Sequence, residues 1–205
     1  MYSTRTGLIL GFHGCDLSIA EDIISNKTHL KGSKNSYDWL GHGIYFWENS
    51  PLRAMEYATH LSKNPQISKN PIKKPAVIGA VLNLGFCLDL VEYENTSFLK
   101  LAYSFLEETL KNIDKPLPKN KAINTSNEIM IRELDCAVIN ALFHLRKLAQ
   151  KRPFDSVRGI FLEGDEVYPN AGFKAKTHTQ ICVVNPNCIK GYFLPLSENQ
   201  KYSKV

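Results

Sequence analysis

The chain has 205 residues, 43% of them hydrophobic and 22% charged, which excludes wholesale disorder, and its net charge of +5 permits an anionic partner without requiring one. No apolar run approaches the roughly 20 residues of a membrane span, and Gly7 to Phe12 is too short for a signal-peptide core, so the chain reads as a soluble, cytoplasmic protein with no membrane partner. Five cysteines (Cys15, Cys87, Cys136, Cys182, Cys188) form no CxxC pair, which points to buried free thiols and no metal site, with Cys15 the one nearest a candidate site.

Leu8 to Phe12 reads as a first strand ending at His13-Gly14. Ser18 and Glu21 have the spacing of a capping box, which predicts a short helix to Ser25 with Ile19, Ile23 and Ile24 on one face. A polar loop, 26 to 38, leads into Trp39-Leu40-Gly41-His42-Gly43-Ile44-Tyr45-Phe46-Trp47-Glu48, in which Ile44 to Trp47 is a strand. Pro51 opens a helix through about Leu61. Residues 62 to 75 hold three prolines and four lysines and read as a surface loop. Strands follow at Ala76 to Leu84 and Cys87 to Leu90, then a helix from about Ser97 to Lys111 and a Lys/Pro loop at 114 to 121. A second helix is capped by Thr125 and Glu128, with an apolar face of Met130, Leu134, Ala137, Ala141, Leu145 and Leu148. Late strands are Gly159 to Leu162, Thr179 to Val184 and Ile189 to Leu194. Short strands with helices between them, and no βαβ repeat, predict an α+β protein.

Two features stand out chemically. Gly41 and Gly43 flank one residue and allow close approach by a ligand or a neighbour, and the aromatics after them offer faces for a planar ring. His13 closes a strand just before a glycine.

Phe12-His13-Gly14, the Gly43-Ile44-Tyr45-Phe46 strand, the helix with Ala54 and Tyr57, and Thr179-Gln180-Ile181-Cys182-Val183-Val184-Asn185 with Cys188 to Leu194 after it together resemble the ADP-ribosyltransferases of the poly(ADP-ribose) polymerase and diphtheria-toxin class. The likeness spans residues 8 to 61 and 157 to 194. It implies a split antiparallel β-sheet in one catalytic domain, residues 1–205, with a helical insertion at about 95–150. It also implies NAD as substrate, no metal, and a His-Tyr-Glu triad. His13 would bond an NAD ribose hydroxyl, and the Gly14 backbone would hold the nicotinamide carboxamide. Tyr45 would stack on the nicotinamide, with Tyr57 as the opposite wall.

The chain departs from that pattern at three points. Gln180 stands where the class has its glutamate, so an amide accepts the ribose hydroxyl without adding charge, and chain elongation is not expected. Arg53 stands where the class has a hydroxyl for the nicotinamide amide, and Glu56 displaces the second tyrosine by one, to Tyr57. Glu163, in Phe161 to Glu166, is a substitute carboxylate, and Glu48 is a further candidate.

Residues 57 to 88 carry Lys63, Lys69, Lys73 and Lys74 and no acid, and residues 144 to 158 add Arg146, Lys147, Lys151, Arg152 and Arg158 against Asp155 alone. This is the pattern of a platform for RNA or DNA phosphates. The expected activity is therefore mono-ADP-ribosyl transfer to a macromolecule, with nucleic acid favoured over protein. A toxin or defence effector with an antitoxin or inhibitor partner would fit. The alternatives are an NAD glycohydrolase and a non-catalytic ADP-ribose or RNA binding module.

Overall fold

A computed structural model describes residues 7–68, 70–122, 129–197 and 200–203. Four helices and a seven-stranded sheet make up an α+β architecture, with a separate two-stranded hairpin. The strands are β1 (Ile9–Asp16), β2 (Ile44–Glu48), β3 (Pro75–Leu82), β4 (Cys87–Asp89), β5 (Asn120–Ala122), β6 (Ile129–Arg132), β7 (Ser156–Phe161), β8 (His178–Val183) and β9 (Ile189–Phe193). The helices are α1 (Leu17–Ile24), α2 (Pro51–Lys63), α3 (Thr96–Asn112) and α4 (Glu133–Leu148).

The large sheet runs β4-β7-β8-β2-β1-β3-β9, antiparallel throughout except for the parallel β4–β7 pair. Strands β1, β2 and β8 are thus neighbours, although β8 lies more than 130 residues beyond β2 in the chain. Pairing between β1 and β2 is confined to Gly11↔Glu48 and Phe12↔Trp47. From His13 onward the two strands part. The imidazole of His13 spans the gap, its Nδ1 2.7 Å from Tyr45 O.

Strand alternation sorts the side chains. One face carries Phe46, Ile78, Leu82 and Ile181, all fully buried, and α1 packs on it through Ala20 and Ile23. Burying each of these large side chains contributes roughly 1.5–3 kcal/mol. The other face carries Phe12, Tyr45, Trp47, Val157, Phe161 and Cys182. There α2 lies over β1 and β3, while α3 and α4 lie over β4 and β7. We take the surface of β2 and β8 between these two coverings, where Tyr45 and Gln180 are half-buried, as the candidate cleft.

Local chemistry explains where the expected elements shift. β1 continues through His13 to Asp16, because Gly14 and Cys15 complete its ladder with β3. Asp16, and not Ser18, caps α1: its carboxylate accepts from Ser18 N at 3.0 Å and from Lys73 N and Lys74 N at 2.7 and 2.9 Å. The helix buries Ala20 and Ile23, while Ile19 and Ile24 remain 42% and 38% exposed. Met130 lies in β6 rather than on a helix, and α4 begins at Glu133; Thr125 and Glu128 fall outside the described residues. In the region about 95–150, Ala102 of α3 and Val138, Ile139 and Leu142 of α4 belong to the main core.

Candidate active site

The cleft floor is built by β2 and β8, whose register sets Tyr45 opposite Cys182 and Trp47 opposite Gln180. β8 begins at His178, so alternation puts His178, Gln180 and Cys182 on the cleft face. The α2 wall contributes Arg53, Glu56 and Tyr57, and the segment after β7 contributes Glu163 and Lys176.

These residues form one network. Arg53 bonds Glu163 Oε2 at 3.0 Å through one terminal nitrogen and Glu56 through the other. Lys176 Nζ meets the remaining oxygen of Glu56 at 2.6 Å. Glu163 Oε2 lies 3.8 Å from His178 Nδ1, and His178 Nε2 lies 3.0 Å from the Gln180 amide nitrogen. The His178 ring sits among Phe161, Trp39 and Trp47, with centroids 5.9, 6.4 and 6.4 Å away. Burial pushes its pKa down from the ordinary 6.5; the Lys176 carbonyl and two glutamates pull the other way. Two buried donors, Trp47 Nε1 and Arg53 Nε, have no partner among the described residues. Tyr57 packs on Trp47 with ring centroids 5.1 Å apart. A buried donor left unpaired costs free energy that a ligand's acceptor oxygen would recover.

Of the residues singled out in the sequence, Gln180, Glu163, Arg53 and Tyr57 converge here. Tyr45 lies beneath the same cleft, but its hydroxyl is already committed: it donates to Gly41 O at 2.6 Å and accepts from Leu40 N at 2.8 Å. Burial drives its pKa far above the phenolic range, so it stays neutral. Tyr57 therefore faces Trp47 and not Tyr45 as its aromatic partner.

His13 occupies a different position. Pairing of Phe12 with Trp47 turns His13 to the face of Phe46, whose ring is 6.0 Å away, so it joins the others only through the Tyr45 carbonyl. That carbonyl can only accept, so Nδ1 carries the proton and Nε2 is the acceptor nitrogen. Burial lowers the His13 pKa against a smaller upward pull from Tyr45 O.

Gly14 has a packing reason to be glycine. A Cβ there would stand 2.2 Å from Ala54 O, so its absence lets α2 lie on β1. The glycines around His42 answer to neighbours too. A Cβ at Gly43 would stand 2.5 Å from Cys182 Sγ, and Gly41 has φ +78° with Ile139 against it.

Three expectations are corrected. Glu48 is not at the cleft: it points to the opposite face and bonds Arg158 at 2.6 Å. Arg158 itself is 8% exposed and also bonds Asp89, so it adds nothing to a basic surface. Cys182, under Tyr45, is the cysteine at the site, whereas Cys15 packs with α1. All five cysteines are buried, and none is in a disulfide.

Sequence reading missed His178, Trp47, Trp39 and Asp38. Period-two alternation from Gln180 and Tyr45 would have found the first two. Asp38 organises the loop before β2, accepting from Ser33 Oγ and Asn35 N at 2.9 Å each. Trp39 Nε1 donates to Met130 O at 2.9 Å, and the Arg132 guanidinium lies 4.5 Å over its ring. Beside them a cavity of about 640 Å³ opens between α3, α4 and β7, lined by Trp39, Leu99, Arg132, Val138, Ile160 and Phe161 among others. Among the described residues no cluster of His, Cys, Asp and Glu is arranged to hold a metal, and no helix is long and apolar enough to cross a membrane.

No family model and no solved structure matches the chain. It is similar to an uncharacterised protein of Methanocaldococcus jannaschii, 28% identical over 198 residues that cover 87% of this chain and 83% of that one.

Proposed function

We propose that this protein is an NAD-dependent mono-ADP-ribosyltransferase that modifies a macromolecule, with nucleic acid favoured over protein as acceptor. One observation carries the reading: the segments that resemble the His-Tyr-Glu class fall on adjoining strands β1, β2 and β8, where β1 and β2 separate at His13. A split antiparallel sheet is what the resemblance implies. In the proposed site the Gln180 carboxamide accepts a ribose hydroxyl, and His13, from the other face of the sheet, holds the Tyr45 carbonyl where β1 and β2 part. Trp47 and Tyr57 supply the aromatic wall, and the unpaired Trp47 Nε1 and Arg53 Nε meet acceptor oxygens of the ligand.

The bond between ribose C1′ and the nicotinamide nitrogen breaks, and its electron pair leaves with nicotinamide, whose ring becomes neutral. The acceptor nucleophile then bonds C1′ and gives up its proton. Glu163 is linked to Gln180 through His178, and it is the residue suited to take that proton. Its ion pair with Arg53 must loosen for this to happen.

Two basic segments bear on the acceptor. Asp16 pairs with Pro75, Ile44 with Val183 and Val183 with Ser156, so the loops that enter β3 and β7 leave the sheet at one end, the end where β1 and β2 part. Four strand spacings separate them, roughly 19 Å at about 4.8 Å each. Incubating the protein with adenylate-labelled NAD and RNA, DNA or protein tests the reading. Label that becomes nuclease-sensitive is expected; label sensitive only to protease reverses the choice of acceptor, and free ADP-ribose alone makes the protein a glycohydrolase.

A further inference from the structure

The hydrogen bonds of His178 fix which way the Gln180 amide faces. Lys176 O, 2.7 Å from His178 Nδ1, can only accept, so Nδ1 holds the proton of the neutral ring. Nε2 is then an acceptor, and the group 3.0 Å from it must donate: the amide NH2 of Gln180. The other half of that amide, Oε1, has no partner among the described residues.

We propose that His178 is a positioning residue: while neutral it holds the Gln180 carboxamide with the carbonyl oxygen free for a substrate hydroxyl, and on protonation it reverses the amide and stops turnover. The proposal rests on the transferase reading of Gln180. A protonated ring has a donor at Nε2, and only Oε1 of Gln180 can satisfy it. The amide would then present its NH2 to the substrate, and a hydroxyl that must donate there finds no acceptor. This lets an uncharged glutamine do the orienting work of a carboxylate, but only in one protonation state of its neighbour.

The charged groups facing the ring come from every surrounding element. Arg53 and Glu56 lie on α2, Glu163 follows β7, and Lys176 precedes β8; Arg132 lies over the Trp39 and Phe161 rings at 4.5 and 4.9 Å. Arg53 opposes the pull of Glu163 and Glu56, and burial, the largest effect, favours the neutral ring.

A double-mutant cycle on the full chain tests this. Phenylalanine suits a pocket walled by three aromatic rings, and His178→Phe should lower NAD turnover by about 10- to 100-fold, the scale for a misplaced catalytic group. On a Gln180→Ala background the same change should cost less than about 2-fold, because nothing is left to position. Equal losses on both backgrounds would make His178 a packing residue and overturn the proposal. A second measurement needs no activity. Gln180→Glu sets a carboxylate against Nε2 and should raise the NMR titration midpoint of His178 by about one pH unit or more. An unmoved midpoint overturns the contact itself. A moved midpoint in a protein that never turns over NAD refutes the transferase reading, and the positioning role falls with it.

Discussion

At the scale of residues, the side chains with spare hydrogen-bonding capacity separate from those already committed. Among the described residues His13 Nε2 and Gln180 Oε1 are free acceptors, and Trp47 Nε1 and Arg53 Nε are unpaired donors, whereas the Tyr45 hydroxyl is held at both ends by the loop before β2. Substitution should follow this division. Gln180→Ala should lower NAD cleavage by roughly 10- to 1000-fold, the range for one transition-state hydrogen bond. Gln180→Glu should retain cleavage, measured as nicotinamide release, because it supplies an acceptor with negative charge. If Gln180→Ala were silent while Glu163→Ala abolished release, Glu163 would be the acceptor that matters. Most of these residues were legible in the sequence because they sit in short motifs. His178 and Trp47 were not, since what marks them is their strand face, and that depends on where β8 begins.

At the scale of elements, small residues set distances. Ala54 and Ala58 are fully buried one turn apart on α2, and Gly14 lets that helix carbonyl approach β1. Gly14→Ala should force the helix outward and cost roughly 1–3 kcal/mol, the penalty of overpacking. At about 2–4 °C per kcal/mol for a chain of this size, thermal melting would show it; an unchanged melting temperature would mean the helix gives way freely. Helices and strands with strong periodicity, such as α2, α3, β2 and β8, were readable from the sequence to within two residues at each end. The start of α4 was not. A β-branched and apolar run, Ile129 to Ile131, satisfies helix spacing and strand preference alike, and pairing with Asn120 to Ala122 decides for strand. The Arg158 pairing with Glu48 and Asp89 was equally hidden, because it joins three elements distant in the chain.

At the scale of the whole molecule, charge and protonation couple to the fold and to the acceptor. His13 and His178 both have pKa values lowered from 6.5 in the fold. As pH falls below 6.5 the unfolded chain takes up these protons first, so it binds more of them than the native state does, and stability falls with acidification. The melting temperature should therefore drop between pH 7.5 and pH 5.5, and the drop should be smaller in His178→Phe. A drop of the same size in the variant would remove His178 from the cause.

The cationic surface is narrower than the sequence suggested. Arg146 lies over Phe154 at 4.5 Å, Arg152 pairs with Asp155 at 2.9 Å, and Arg158 is buried. Lys73 and Lys74 lie in the loop that Asp16 holds at the end of β1, while Lys69 falls outside the described residues. Transfer to nucleic acid should weaken steeply with salt, and Lys73→Glu with Lys74→Glu should lower transfer while sparing nicotinamide release. Salt-independent transfer would point to a protein acceptor.

In the proposed reaction the surface between α2 and strands β2 and β8 breaks the nicotinamide–ribose bond of NAD. Release of nicotinamide from NAD, compared between the wild-type chain and folded Gln180→Ala and His13→Ala variants, tests it most directly. The wild-type chain should release nicotinamide, with a loss of at least about 10-fold in each variant; no release by the wild-type chain, or equal release by all three, would rule the proposed reaction out.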